Sequence, residues 1–366
     1  MTIEHLFFTL LRAGLWEQSV RLSSLGDIDL GQIIELAKSQ SVLGIVVRGL
    51  ENVVDLDIKL PETISEDIVE MEKWNRMMSF SIGVFVEKLR EAGIDTLLVK
   101  GQGIAQCYER PLRRSAGDID FFLDAENYEK AKVFFVPLAT RVGKEEVKRK
   151  HFNFTIDPWK IELHGTMHGG LTKQIDDELD RIQEDTFSGN VRVWDDNGVE
   201  VHLPGVDDDI VFVFAHILQH FFQGGIGVRQ ICDWCRLLWT YNDSVDQSLL
   251  ETRLQRMKVM REWKAFATYA VEYLGMPKEA MPFYEESNRL QRYARRINSF
   301  VLEVGNFGRN RDTSFYSKYP YLIYKAISLG RHCGDFFRHL VIFPRTALSV
   351  FFRTLFTGFH VVARGE

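Results

Sequence analysis

Two aspartates within an apolar segment constrain this chain more than any other feature. Residues 117–123 are Gly-Asp-Ile-Asp-Phe-Phe-Leu, and the apolar residues are typical of a β-strand in a protein core. Side chains two apart in a strand share a face, so Asp118 and Asp120 are predicted to project side by side, with about 7 Å between their Cα atoms. Two carboxylates so placed are costly unless a cation neutralises them. Mg²⁺ meets this requirement, because carboxylates and substrate phosphates are its usual ligands.

An apolar segment followed by a glycine-containing turn precedes the aspartates. Residues 96–99 are typical of a buried strand, and Lys100, Gly101 and Gly103 follow it. Glycine lets backbone N–H groups approach a ligand closely, so the turn is a candidate contact for the β- and γ-phosphates of a nucleotide. Lys100 is a candidate for neutralising a leaving pyrophosphate, and a surface lysine at a strand end is the alternative interpretation.

A third acid lies on a later predicted strand. Residues 152–156 and 160–164 alternate apolar and polar side chains, and the Asp-Pro pair between them is a turn signal, which together predict a β-hairpin. Glu162 and His164 share one face of the second strand. Neighbouring strands are about 4.8 Å apart, so this strand could bring Glu162 close enough to the aspartates for three carboxylates to share a metal pair.

The order of these motifs resembles the nucleotidyltransferase superfamily of the polymerase-beta type. Within it, the chain resembles a bacterial branch labelled uncharacterised nucleotidyltransferase. The resemblance covers about residues 94–165 and depends on Lys100-Gly101, on Arg114 and on Gly117-Asp118-Ile119-Asp120.

The resemblance implies Mg²⁺-dependent transfer of a nucleoside monophosphate from an NTP to a hydroxyl acceptor, with release of pyrophosphate. Asp118, Asp120 and Glu162 are the implied catalytic and metal-binding residues, around two Mg²⁺ ions that Mn²⁺ could replace. The superfamily more often has aspartate at the third place, where this chain has glutamate. The implied nucleotide-binding residues are Lys100, Gly101, Gly103, Arg114, Gly117 and His164.

Helical patterns flank the predicted sheet on both sides. Pro61 and Gly93 are a start and a stop signal for one long helix, and apolar residues recur between them at three- and four-residue spacing. The predicted fold class is α+β, a small mixed-sheet nucleotidyltransferase core flanked by N- and C-terminal helical regions. The predicted division is an N-terminal helical region at 1–93, an α/β core with hairpins at 94–205 and a C-terminal helical domain at 206–366.

The composition is that of an ordinary soluble globular protein, with 45% hydrophobic and 26% charged residues. A net charge of -6 gives no general argument for nucleic-acid binding. No segment reaches about 18 apolar residues without charges, which argues against a membrane span. The N-terminal residues lack the features of a signal peptide, and four cysteines are too few for a disulfide framework. Together these observations predict a cytoplasmic protein.

Histidines in the C-terminal half allow two interpretations. His216 and His220 are four residues apart on a predicted helix, a spacing that fits Zn²⁺, but the segment between them lacks the glutamate of a zinc protease helix. Packing of both imidazoles between the helical region and the sheet is the favoured interpretation. Further along, Arg229 and Asp233 are weaker candidates for contact with the nucleotide.

The C-terminal stretch 309–366 is basic and aromatic, with nine Lys/Arg against three acids. A basic aromatic helix can contact a membrane surface or an acidic partner peripherally. Packing of its phenylalanines on the protein core is the favoured interpretation. Those phenylalanines include Phe336, Phe337, Phe343, Phe351, Phe352, Phe356 and Phe359.

Two further functions are compatible with the same sequence. The chain could be a catalytically silent nucleotide-binding or interaction protein that retains the fold, or a membrane-associated partner protein that docks through its basic tail. The sequence does not identify the acceptor, which could be a protein hydroxyl, a sugar, a small antibiotic or a nucleic acid end. Base preference and oligomeric state cannot be read from the sequence.

Overall fold

The structure, a computed structural model, describes residues 2–22, 29–308, 310, 311, 318 and 320–363. Helices dominate its first quarter, and the longest of them has 30 residues. Pro61 immediately precedes that helix, and Gly93, with φ +68°, follows its end, as the start and stop signals predict. The four helices are α1 (Ile3–Leu15), α2 (Leu30–Ser39), α3 (Leu43–Glu51) and α4 (Glu62–Glu91).

A five-stranded mixed sheet follows, with strand order β1-β2-β5-β4-β3. β2 and β5 are parallel, and the other neighbouring pairs are antiparallel. The predicted mixed sheet and the α+β class are therefore confirmed. The strands are β1 (Leu97–Val99), β2 (Ile119–Phe122), β3 (Arg141–Val142), β4 (His151–Ile156) and β5 (Trp159–His164), with helices α5 (Gly101–Ala105) after β1 and α6 (Ala125–Phe135) after β2.

The two faces of this sheet differ in polarity. Ile119, Phe121 and Ile161 are buried in an apolar cluster with residues of α4 and α6. Residues next to them in sequence point to the opposite face, and this alternation puts Asp120 and Glu162 there. One side of the sheet thus supplies part of the core, while the other side carries the polar side chains.

A separate hairpin packs against the edge of the sheet. It consists of β6 (Val191–Asp196) and β7 (Val199–Pro204), and it follows α7 (Lys173–Phe187). Asn197 and Gly198 both have positive φ in its turn, which is the backbone of the tight turn that the sequence predicts. A Cβ on Gly103 would lie 2.8 Å from a methyl carbon of Leu203, so this glycine allows α5 to pack closely on the hairpin.

The C-terminal half is helical, and its helices share a core with α1–α3. Trp16 Nε1 donates to the carbonyl of Leu274 at 2.6 Å, and Arg12 donates to the carbonyls of Glu272 and Tyr273. No helix in the described ranges combines the length and the apolar character needed to cross a membrane. The helices are α8 (Val206–Gln223), α9 (Val228–Thr240), α10 (Gln247–Met257), α11 (Met260–Leu274), α12 (Asn288–Val304), α13 (Tyr321–Ile342) and α14 (Pro344–Ala363).

The packing interpretation of the C-terminal phenylalanines holds for part of the stretch. Phe343 is buried, with its ring centroid 5.9 Å from that of Phe221. Phe337 and Phe352 are more than half exposed, so a peripheral contact there stays a prediction. The side chains of Phe356 and Phe359 lie outside the described residues. The division at 93/94 and 205/206 also stays a proposal.

Candidate active site

The polar face of the sheet brings the three predicted acids together. Asp120 on β2 lies opposite Glu162 on β5 in the parallel ladder. Asp118 immediately precedes β2 and is half-buried. Lys160 connects the two sides of the cluster, because its Nζ lies 3.2 Å from Asp118 Oδ2 and also contacts Glu162 Oε1.

Asp120 is the most enclosed of the three acids. Its Oδ1 lies 2.8 Å from Lys100 Nζ and 2.8 Å from His164 Nε2. Burial raises the pKa of Asp120, but the positive charge of Lys100 and the contact with His164 together outweigh burial, so the pKa is lowered. The carboxyl group therefore stays ionised at neutral pH, which is the form that ligates a cation.

Lys100 adopts an unusual backbone conformation at the end of β1. Its φ is 58° and its ψ is -147°, a region that residues other than glycine rarely occupy. The same residue places its ammonium group against Asp120. Burial lowers the pKa of Lys100, but the nearby carboxylates, chiefly Asp120 and Asp118, together outweigh burial and raise it. The lysine therefore stays charged. Gly101, with φ +42°, continues the turn and lines the cleft beside it.

Glu162 has an imidazole on one side and an ammonium group on the other. His151 Nε2 lies 3.0 Å from Glu162 Oε2, and Lys160 contacts Oε1. Burial raises the pKa of Glu162, but these contacts outweigh burial and lower the pKa to about 2. Burial and the charge of Lys100 lower the pKa of His164, so its imidazole is neutral at pH 7.

Sequence reasoning missed His151. The hairpin register pairs His151 with His164, and the two imidazole centroids are 4.9 Å apart. The Asp-Pro turn carried this information, because a hairpin centred on that turn places residue 151 opposite residue 164.

Arg114 lies beside the cleft, but its guanidinium is occupied. Its Nε and Nη2 donate to the two carboxylate oxygens of Asp233 at 2.8 and 2.7 Å, and both side chains are buried. The Tyr108 hydroxyl also donates to Asp233, at 2.8 Å. The nucleotide-binding role implied for Arg114 stays a prediction, and two donors of its guanidinium already hold Asp233.

Arg229 is a second arginine at the cleft, and within the described part of the chain it has no such bidentate carboxylate contact. Its Nη1 donates to the carbonyl of Ser115 at 2.8 Å, while its buried Nε has no hydrogen-bond partner among the residues that the structure describes. A Cβ built on Gly117 would lie 3.8 Å from Arg229 Nη1, so the guanidinium reaches the turn before Asp118. Burial lowers the pKa of Arg229.

These residues line one cleft of about 760 Å³, which is enclosed between the sheet and the C-terminal helices. His216 and His220 line the α8 side, with 3.0 Å between their Nε2 atoms. Burial lowers the pKa of both imidazoles, that of His220 to about 4. The cleft volume falls within the range of small-molecule sites.

The sequence profile of a protein family described as uncharacterised nucleotidyltransferase matches residues 26–275. The chain belongs to this family. No curated protein matches the sequence. Among solved structures, an antigenic nucleotidyltransferase-like protein from Paracoccidioides brasiliensis is 15% identical, and the match covers 50% of this chain and 90% of that chain with a TM-score of 0.32. A TM-score this low carries no further information about this nucleotidyltransferase, so its assignment rests on the family match.

The donor groups of this nucleotidyltransferase fit a divalent cation. Three carboxylates surround one end of the cleft, and the two enclosed ones, Asp120 and Glu162, have lowered pKa values. His151, Glu162 and His164 form a group whose ligand atoms all lie within 4.8 Å of one another. Oxygen donors of this kind suit Mg²⁺ and Mn²⁺, and imidazole nitrogens suit transition metals.

Proposed function

We propose that this nucleotidyltransferase moves a nucleoside monophosphate from an NTP to a hydroxyl acceptor. The acceptor oxygen forms a bond to the α-phosphorus, and the bond from that phosphorus to the oxygen bridging the β-phosphate breaks. Pyrophosphate leaves with the bridging oxygen, and the hydroxyl proton passes to solvent. The observation that carries this proposal is the pairing of Asp120 with Glu162 on the wall of a cleft that also contains Asp118.

Asp118, Asp120 and Glu162 are the residues proposed to hold Mg²⁺. When bound, Mg²⁺ supplies positive charge that polarises the α-phosphate and favours the ionised form of the acceptor. With a pKa of about 2, Glu162 is a good anionic ligand and a weak proton acceptor. We therefore assign it to holding a cation and not to general base catalysis.

Cationic side chains around the acids are proposed to hold the triphosphate. Lys100 lies beside Asp120, at the strand end where the glycine turn begins. Arg229 has donor capacity left, because its Nε makes no hydrogen bond to any described residue. Arg149 and Lys160 also line the cleft. Arg114 supports this arrangement indirectly, since its ion pair with Asp233 fixes the loop that leads to Asp118.

A catalytically silent nucleotide-binding protein is the alternative, and one observation favours it. The ammonium groups of Lys100 and Lys160 already contact all three carboxylates. A chain that neutralises these acids with its own lysines needs no metal to keep the fold stable. This alternative predicts weak Mg²⁺ affinity, which titration calorimetry with Mg²⁺ and each NTP measures directly.

Incubation of the full-length protein with α-labelled ATP, GTP, CTP and UTP in a cell extract tests the proposed transfer. The wild type is expected to label an acceptor and to release pyrophosphate when Mg²⁺ is present. Asp118→Asn is expected to remove the label, because Asp118 faces the cleft and contributes little to the core. Asp177→Asn, which changes an acid on α7 paired with Lys173, is the matched control. Equal labelling by wild type and Asp118→Asn rejects the assignment.

A further inference from the structure

Four side chains from three neighbouring strands converge on the Glu162 side of the cleft. His151 Nε2 lies 3.0 Å from Glu162 Oε2, and His164 Nε2 lies 3.8 Å from the same oxygen. His164 Nε2 also lies 2.8 Å from Asp120 Oδ1. These two imidazoles face each other across the β4–β5 ladder, so the strands themselves fix their positions.

The separations between these donor atoms match the edges of a metal coordination shell. With metal–ligand distances of about 2.1 Å, adjacent ligands are about 3.0 Å apart in an octahedron and about 3.4 Å apart in a tetrahedron. The observed donor separations of 2.8, 3.0 and 3.8 Å lie around these values. The ligand atoms of His151, Glu162 and His164 all lie within 4.8 Å of one another, and Asp120 joins this group through its contact with His164.

The direct ion pairs of the cluster contain more carboxylates than ammonium groups. The carboxylates of Asp118, Asp120 and Glu162 outnumber the ammonium groups of Lys100 and Lys160 by one. Lys160 contacts Oε1 of Glu162, whereas the imidazoles face Oε2, so the lysine and the nitrogen donors use different oxygens of the carboxylate.

We propose that His151, His164, Glu162 and Asp120 form a mixed nitrogen–oxygen site for a first-row transition ion, with Mn²⁺ and Zn²⁺ preferred over Mg²⁺. Mg²⁺ binds oxygen donors and rarely accepts imidazole, whereas Mn²⁺ and Zn²⁺ accept both, with affinities in the Irving–Williams order. Asp118 contacts Lys160 and lies outside this mixed site, so it remains an oxygen donor for the Mg²⁺ of the proposed transfer. This inference deepens the proposed function, and it rests on that function only because both use Asp120 and Glu162.

Metal titrations of the full-length protein without nucleotide test this site. The wild type is expected to bind Mn²⁺ and Zn²⁺ at least about tenfold more tightly than Mg²⁺ by calorimetry. The electron spin echo of bound Mn²⁺ is expected to be modulated by imidazole nitrogen. His151→Gln, which keeps a polar side chain opposite Glu162, is expected to weaken Mn²⁺ binding about tenfold or more and to leave Mg²⁺ binding unchanged.

His168→Gln is the matched control. His168 lines the same cleft, but its Nε2 pairs with Asp180 at 2.6 Å, away from the cluster. It is expected to bind Mn²⁺ like the wild type. Thermal melting of each variant identifies any that does not fold, and His151→Asn serves as a second substitution in that case. Equal affinity for Mn²⁺ and Mg²⁺, together with an echo lacking nitrogen modulation, overturns the proposal.

The outcomes separate this site from the transfer activity. Nitrogen ligation without labelling of any acceptor supports the metal site and rejects the proposed function. Labelling with Mg²⁺ but without nitrogen ligation supports the transfer activity and rejects the metal site.

Discussion

Asp120 and Glu162 are direct neighbours across the parallel ladder of β2 and β5. Such neighbours lie about 4.8 Å apart, although 42 residues of sequence separate these two. Two carboxylates at this distance repel each other unless positive groups surround them. Lys100 and Lys160 provide that charge within the protein, and a divalent cation is proposed to add to it.

Burial separates the expected effects of the two aspartates on stability. Asp120→Asn leaves Lys100 in the interior without its anionic partner, so the free energy of unfolding is expected to fall by about 3 kcal/mol. Asp118→Asn affects a half-exposed ion pair and is expected to cost less than about 1 kcal/mol. Urea unfolding of both variants measures this difference. Losses of equal size would show that Asp120 is not held by Lys100 in solution.

Lys100 offers a test of backbone strain at the site. Both Lys100→Ala and Lys100→Gly remove the ammonium group, but only glycine adopts a φ of 58° with little strain. The glycine variant is expected to be more stable than the alanine variant by about 1–2 kcal/mol. Chemical denaturation of the two variants checks the sign. An alanine variant as stable as the glycine variant would contradict a strained conformation at this residue.

The Arg114–Asp233 ion pair is expected to be essential for folding stability. Removing one member leaves a buried, unpaired charge, so Arg114→Ala is expected to cost about 3–5 kcal/mol. The double variant Arg114→Met/Asp233→Leu replaces both charges with apolar groups and is expected to cost less than the sum of the single variants. A double-mutant cycle on the free energy of unfolding measures the coupling. Lys173→Ala, at an exposed ion pair with Asp177, is the control and should change stability by less than about 1 kcal/mol.

Sequence patterns predicted the local structure of this fold well. The alternation in the hairpin placed Glu162 and His164 on one face, and the structure has both on the wall of the cleft. The start and stop of α4 followed from Pro61 and Gly93. Each of these features depends on residues close together in the chain, so local periodicity and turn chemistry were sufficient.

Contacts between distant parts of the chain could not be predicted in this way. Arg114 and Asp233 are 119 residues apart, and no local pattern shows that they pair. The same limit applies to the contact between Lys100 and Asp120, and to the positive φ of the lysine, which no residue type at that position signals. The family resemblance suggested where charges gather. It could not show which cations already have a carboxylate partner, because those pairs depend on the three-dimensional structure.

Arg229 is expected to affect nucleotide binding more than stability. Its buried Nε lacks a hydrogen bond within the described ranges, so a phosphate oxygen in the cleft would meet a charged donor there. Arg229→Gln is expected to raise the Kd for NTP about tenfold, which is about 1.4 kcal/mol. Stability is expected to change by about 1 kcal/mol or less, because burial already disfavours this charge. Calorimetry with NTP measures the Kd, and Arg76→Gln, on the exposed side of α4, is the control. An unchanged Kd for Arg229→Gln would remove Arg229 from the proposed triphosphate site.

Protonation of His216 and His220 is expected to make stability depend on pH. Burial lowers the pKa of His220 to about 4 and lowers that of His216, so both imidazoles are neutral in the folded cleft at pH 7. In the unfolded chain each has a pKa of about 6.5, so the unfolded state binds more protons below that pH. The free energy of unfolding should therefore fall as the pH is lowered from about 7 to about 5, on the order of 1–3 kcal/mol. Over this range Glu162, with a pKa of about 2, stays ionised in the folded protein and contributes little to the change.

Urea unfolding at about pH 7 and about pH 5 measures this dependence. His220→Gln removes one of the two imidazoles, so its stability should fall less over the same range than that of the wild type. His5→Gln changes an exposed histidine on α1 and should follow the wild type. The measurement compares stability differences within each variant, so any constant cost of the substitution cancels. A wild type and a His220→Gln variant with the same pH dependence would show that His220 is not kept neutral by burial in the cleft.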